Sequence, residues 1–392
     1  MSHKTQLHAL TAAVAAAAST CAWALEPQSI RLGDGLNFSP SLQVTESYDD
    51  NIRAVETGEL SSWVTRISPA FMLGADGHKA SYQVQYRADS DTFHSSHLDD
   101  NTDHHLTAKT AFNFNVRNHL TFDIGYHRVE LLDSENSDHQ SQNDKYNTID
   151  AGALYSFGAP RARGQIDFGV RHQRLRYENT QHINDDLERE FTQANTIFYY
   201  RLAPRTRALI EARYTDFNYV SNDLRNSSEI ALLGGLAWEA TAKTTGTIKI
   251  GSQKKHFEES SVGNMSGSMW EIGIDWKPRT YSTVSLTTRQ AIDENYQSGI
   301  GASAVESTLV KLGWKHGWTN RLSSETSYSY IKRKYQDYDR DDRFDIATLD
   351  LTYELRRWLD VSLGLKYIQK DSTRARESYE RSIVGLTVAA SL

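Results

Sequence analysis

A single cysteine, Cys21, in 392 residues leaves no partner for a disulfide within the chain. Proline is scarce at 6 residues, and only 39% of the chain is hydrophobic, with a mean hydropathy of -0.59. That is thin for a two-layer core of this size. After residue 24 no stretch approaches 18 consecutive apolar residues, which excludes a transmembrane helix. Against these shortages stand 20 tyrosines, 8 tryptophans and 23 glycines, with 24% charged residues and a net charge of -7. Aromatic-rich composition of this kind suits long strands and argues against disorder.

The first residues read as an export signal. Lys4, with His3 and His8, makes a weakly basic start, Leu7 to Ala18 is an apolar run too short to span a bilayer, and Ala22-Trp23-Ala24 is an A-x-A site. Cleavage after Ala24 makes residues 1–24 a signal peptide and removes Cys21, leaving no thiolate chemistry. Lipid attachment at Cys21 is disfavoured because Ala18-Ser19-Thr20 lacks the aliphatic residue such a signal needs. An exported chain without a membrane helix is periplasmic, secreted or an outer-membrane barrel.

Residues Lys79 to Ala88 carry the rule that the rest repeats. Ala80, Tyr82, Val84, Tyr86 and Ala88 share one side of an extended strand, with Lys79, Ser81, Gln83, Gln85 and Arg87 on the other. About 18 such segments follow one another to the end of the chain, a period-2 code with one apolar and one polar face. Short turns near residues 77, 118, 160, 204, 242, 278, 318 and 356 alternate with long polar loops such as 90–103 and 130–145. Tyr126, Tyr155, Tyr200, Tyr214, Trp238, Trp276 and Trp314 fall near strand ends, where an interfacial girdle places them. The pattern predicts an all-β fold, a transmembrane antiparallel up-and-down β-barrel of about 18 strands over residues 36–392. Its short turns would be periplasmic and its long loops extracellular, with residues 25–35 a short periplasmic leader. Pro69, inside the second strand, predicts a bulge or a strand end. Tyr328 and Tyr330, flanked by Ser324 and Thr326, make a weakly apolar outer face that would suit a protein contact.

A barrel this wide is not filled by its own side chains, so the interior is expected to be a water channel unless loops fold into it. The candidate pore-lining residues are Lys79, Arg87, Lys109, Asp123, Asp150, Asp167, Arg171, Glu211, Arg213, Lys249, Glu271, Asp275, Arg289, Lys311, Glu325, Asp350 and Lys366, with Asp89 and Asp360 on the same face. Taken singly, each is more often an ordinary solvated lumen residue. Together, both signs of charge among Gln, Asn, Ser, Thr and Tyr offer many weak hydrogen bonds to a hydroxyl-rich polymer, and conduction needs weak, repeated binding.

Catalytic and metal chemistry find little footing. His94, His97, His104 and His105 stand beside Asp99, Asp100 and Asp103, a set more often polar surface than a metal site. Asp337-x-Asp339-x-Asp341 fails as a calcium loop, since Asp342 replaces the turn glycine and Thr348 stands where a bidentate carboxylate belongs. No nucleophile elbow is present. The expectation is a non-enzyme without cofactor, metal or nucleic-acid partner, its acidic loops touching divalent cations and lipopolysaccharide at the cell surface.

Pro40-Ser41-Leu42-Gln43-Val44 through Tyr48-Asp49-Asp50-Asn51-Ile52, then Ile67-Ser68-Pro69-Ala70-Phe71 and Tyr82 to Tyr86, resemble the putative beta-barrel porin 2 family. The resemblance implies an outer-membrane exit pore for a secreted exopolysaccharide, with a periplasmic polysaccharide-export protein as partner. Leu392 stands where barrels commonly end in an aromatic recognised by the barrel insertion machinery, a further expected partner. A general diffusion porin for small solutes and an outer-membrane enzyme, a lipase or polysaccharide lyase, are the rival readings.

Overall fold

The computed structural model describes residues 29–33, 35–132, 143–159, 161–179, 184–239, 243–295, 304–336 and 338–391. The proposed signal peptide lies outside them. Nineteen strands occur in chain order: β1 (Ile30–Gly33), β2 (Leu36–Asp49), β3 (Ser62–Asp76), β4 (Ala80–Phe93), β5 (Asn101–Asn115), β6 (Asn118–Leu131), β7 (Asp144–Phe157), β8 (Gly164–Tyr177), β9 (Arg189–Ala203) and β10 (Thr206–Tyr219). They continue as β11 (Ser227–Trp238), β12 (Thr244–Phe257), β13 (Met265–Arg279), β14 (Ser282–Glu294), β15 (Ala304–Gly317), β16 (Leu322–Tyr335), β17 (Asp341–Arg356), β18 (Leu359–Ser372) and β19 (Tyr379–Ser391).

Each strand from β2 onward pairs antiparallel with the next, and β19 returns to pair with β2, closing an 18-strand barrel with β1 as an extra strand. Closure leaves no free edge in the spanning wall, which is what a strand needs where water cannot satisfy its backbone. The β19–β2 ladder runs only from Ser41↔Ser391 to Asp49↔Ile383. Below it, β1 takes the place of β19 beside β2, through Ile30↔Phe38 and Arg31↔Asn37. The leader expected at 25–35 thus contains a strand that the sequence pattern did not signal.

The connections are segregated as the period-2 reading requires. Tight links at 116–117, 204–205, 280–281 and 357–358 lie at one end, with both chain ends; the longer links, such as 50–61 and 94–100, lie at the other. By the rule of such barrels the first end is periplasmic and the second extracellular. The outer face is apolar and exposed, with Val84, Ile124, Val170, Ile210, Leu232, Ile250, Leu312 and Leu386 among its residues. Tyr126, Tyr200, Tyr214, Trp276 and Trp314 are exposed on that face too.

Pro69 neither bulges the sheet nor ends its strand. The β3–β4 ladder skips two pairs, from Ile67↔Ser90 to Ala70↔Arg87, and resumes in the same register, while Leu42↔Pro69 holds on the β2 side. A missing N–H removes a donor without adding a residue, so register survives. Pro69→Ala is expected to be neutral to slightly stabilising, within about 1 kcal/mol, because the restored ladder bond offsets the gain in unfolded-chain freedom. Urea titration of the refolded barrel reads the change.

Candidate functional site

Residues that pair across strands share a face, so the register assigns the lumen residue by residue. Arg87, Lys109, Asp123, Asp150, Asp167, Arg171, Glu211, Arg213, Lys249, Glu271, Asp275, Arg289, Lys311, Glu325, Asp350 and Lys366 all lie on the face opposite the exposed apolar one. Lys79 lies one residue before β4, at the rim, where its carbonyl accepts from the Asn113 N–H at 2.7 Å in continuation of the β4–β5 register.

On β4 to β8 charged side chains pair with one another along the wall. Arg171 donates to Asp150 at 2.9 Å and to Asp123 at 3.1 Å, spanning β8 to β6. His127 stands 3.6 Å from Asp150 and 2.9 Å from His105, which in turn stands 3.6 Å from Asp89, the partner of Arg87 at 2.8 Å. Glycines make room for this layer. A Cβ at Gly125 would fall 2.3 Å from an Asp150 oxygen, and one at Gly152 would fall 2.8 Å from an Asp123 oxygen. The pairs occupy hollows in the wall instead of reaching across the channel.

From β10 to β14 the wall turns a tight corner. Arg213 on β10 bonds Glu211 at 2.6 Å and reaches Glu271 on β13 at 2.9 Å, while Lys249 on β12 bonds Glu211 at 2.9 Å and also Glu271. Tyr219 on β10 donates to Glu294 on β14 at 2.5 Å, and Lys255 bridges Glu294 and Glu229. Such reach over three and four strands requires strong curvature. Gly235 and Gly251 permit it, since a Cβ there would stand 1.9 Å from the Ile248 carbonyl oxygen and 1.8 Å from that of Leu232. The β13–β14 ladder stops at Trp270↔Gln290, and beyond it the Gln253 amide serves the Ile292 backbone, donating at 3.0 Å and accepting at 2.9 Å.

The inner face of the corner is packed with apolar side chains. Ala231, Leu233, Met269 and Ala291 pack together on its inner face, and Glu211 is 1% exposed. Inward apolar residues at these positions break the alternation that the sequence reading relied upon. A second inner apolar cluster, Ile331, Phe344, Ile346 and Ile368, lies on β16 to β18.

The periplasmic rim carries segregated charge. On β9 and β10 Arg201 faces Arg207, and Arg207 lies over the Tyr199 ring at 4.5 Å. Half the circumference away, Glu325 faces Asp350 and Glu354 faces Asp360 across β16 to β18. Like charges in direct cross-strand register cost stability.

At the extracellular end the Tyr-Asp-Asp-Asn-Ile segment is a clasp across the seam. Asp49 takes a forked bond from buried Arg381 of β19, at 3.0 Å from Nε and 2.7 Å from Nη2. Asp50 accepts from the Ser382 N–H at 2.7 Å and Asn51 donates to the Glu380 carbonyl at 2.9 Å. Ile52, fully buried, packs with Val64, Phe93 and Leu132. The sequence showed the segment but not its mate, because Arg381 lies 332 residues away.

The loop histidines disperse. His97 pairs with Asp100 at 3.1 Å, His94 with Thr65 at 2.8 Å, and His104 and His105 fall on opposite faces of β5. Among the described residues no group of three or more His, Cys, Asp or Glu side chains converges as for a metal. Position 337 of the Asp-x-Asp-x-Asp segment is outside them.

A closed 18-strand antiparallel wall, an exposed apolar outer face and a polar, charge-lined inner face define a porin-like outer-membrane β-barrel. The chain belongs to the putative beta-barrel porin 2 family, whose model matches residues 24–392. Solved structures agree at the level of fold: the outer membrane protein opdK from Pseudomonas aeruginosa is similar with a TM-score of 0.50 and 11% identity, over 91% of this chain and 99% of that one. OpdL from the same organism has a TM-score of 0.49 at 13% identity, over 91% and 98% of the two chains. The FrpB iron transporter from Neisseria meningitidis has 0.47 at 9%, over 90% and 81%. The comparison with curated proteins gives no match.

Proposed function

We propose that this barrel is the outer-membrane exit conduit for a secreted exopolysaccharide, working passively while synthesis and a periplasmic export protein supply the drive. The observation that carries the reading is the polar inner face of β4 to β8. There ion pairs rest over glycines, and Gln83, Gln85 and Asn113, with Gln193 and Asn195 on the adjoining β9, offer hydrogen bonds at many points of the same face. A hydrated polymer slides over such a surface because no strong site holds it. The family membership and the resemblance on which it first rested support the same reading.

The test is deletion of the gene followed by measurement of surface polysaccharide, beside single-channel conductance of the refolded protein with and without the host's own polymer. Loss of surface polymer and polymer-dependent interruptions of current are the expected results. Unchanged surface polymer overturns the reading. Uptake of small sugars at undiminished rate in the presence of polymer would favour a general diffusion porin, for which the polar inner face of β4 to β8 is equally suited. An outer-membrane enzyme would lose its activity on a single Ser, His or Tyr substitution.

A further inference from the structure

Many inward carboxylates of this barrel are answered by a cation or a hydrogen-bond donor; among the described residues Asp275 on β13 is not, and neither is a strip of four on β16 to β18. Asp123, Asp150, Glu211, Glu229, Glu271, Asp293 and Asp342 each have a cation within hydrogen-bond reach. On β16 to β18 the periplasmic half is different. Glu325 faces Asp350, Thr352 faces Ser362, and Glu354 faces Asp360, so two like-charged pairs bracket a hydroxyl pair whose oxygens are 2.8 Å apart. None of these four carboxylates has an ion pair among the described residues. Lys315 lies opposite Glu325 in the register without coming within ion-pair distance.

Asp360 is the decisive member. It is 4% exposed, and its Oδ1 is buried with no hydrogen-bond partner. A buried, unanswered carboxylate oxygen beside a second carboxylate is expensive, and proteins keep such an arrangement where something positive occupies it. Gly364 adds room, since its absent Cβ would come 3.0 Å from Asp350 Oδ1. Every donor atom in the strip is oxygen, the preference of hard cations over transition metals. With only two carboxylates in each pair, the ion would keep much of its water, as magnesium and weakly held calcium do.

We propose that the Glu354–Asp360 pair, continued by Thr352, Ser362, Asp350 and Glu325, is a site for a hydrated divalent cation at the periplasmic entrance of the lumen. The ion removes the like-charge repulsion between β17 and β18 and neutralises the acidic side of a rim whose opposite side is basic. The site does not depend on what the channel carries.

The test uses the full mature chain refolded in detergent. Terbium luminescence displaced by calcium or magnesium gives affinity, and the urea midpoint gives linkage, since an ion that binds only the folded state raises stability with its concentration. The Glu354→Gln/Asp360→Asn double variant is expected to bind calcium at least tenfold more weakly than wild type. In ion-free buffer its urea midpoint should lie above that of wild type, because the repulsion is gone, and calcium should close the gap by raising wild type alone. Equal calcium affinity in the two proteins would place any bound ion in the acidic extracellular loops and overturn the proposal. So would a wild-type midpoint that calcium does not move.

Discussion

Gly251→Val is expected to abolish the folded barrel: the refolded protein should run as unfolded chain on unheated gels, lack the far-ultraviolet signature of strands, and conduct no current. A Cβ at this position would stand 1.8 Å from the Leu232 carbonyl oxygen and 2.8 Å from the Leu233 Cα. Overpacking against a flexible side chain typically costs about 1–3 kcal/mol. Here the obstacle is backbone of the paired strand, so the cost exceeds that range or the corner opens. Gly273→Val on β13 is the control, because nothing lies within 4 Å of its absent Cβ. It should refold with a urea midpoint near that of wild type. If both variants fold equally well, the corner is not held by its glycines.

Asp49→Ala is expected to destabilise the barrel by about 3–5 kcal/mol, the usual consequence of leaving one member of a buried ion pair without its partner. Arg381 is 8% exposed and would keep its charge at the seam. Because the ladder ends at Asp49↔Ile383, no further pairs hold β2 to β19 above the clasp except those made by Asp50 and Asn51. A comparison with Glu178→Ala isolates the effect of burial. Glu178 pairs with Arg128 at 2.9 Å, but the two side chains are 33% and 44% exposed, and such surface pairs contribute about 0–1 kcal/mol. Urea denaturation of the three proteins should separate them in that order. An Asp49→Ala midpoint no lower than that of Glu178→Ala would remove the clasp from the account of closure.

The wall of this protein was legible in its sequence because a spanning strand has little freedom. Each residue faces lipid or lumen, and the alternation of Tyr82, Val84 and Tyr86 with Ser81, Gln83 and Gln85 records that choice directly. Turn lengths told the two ends apart for a similar reason. What the pattern could not carry was anything depending on pairs far apart in sequence or on curvature. Leu233 and Met269 look like strays from the outer face until the corner brings them together with Ala231 and Ala291. Gly235 and Gly251 read as gaps in an alternating strand and prove to be the positions where neighbouring backbones approach most closely. The lumen candidates were placed by parity, but which of them pair could not be known before the register: Arg213 meets Glu271, 58 residues later, and Arg171 meets Asp123, 48 earlier. Glu325, Asp350 and Asp360 are candidates for which the register brought no ion pair among the described residues.

The seam between β2 and β19 also sets a timetable. Every other ladder in the barrel joins strands adjacent in the chain, whereas Thr45 and Thr387, hydrogen-bonded at 2.8 Å across the seam, are 342 residues apart. Hairpins can therefore accumulate one after another at modest entropic cost, and the loop closed by the first and last strands comes at the end. Until then the Ser41–Asp49 edge of β2 stays open, and β1, pairing with Asn37 and Phe38, keeps the periplasmic tip of that edge occupied while the last strand arrives.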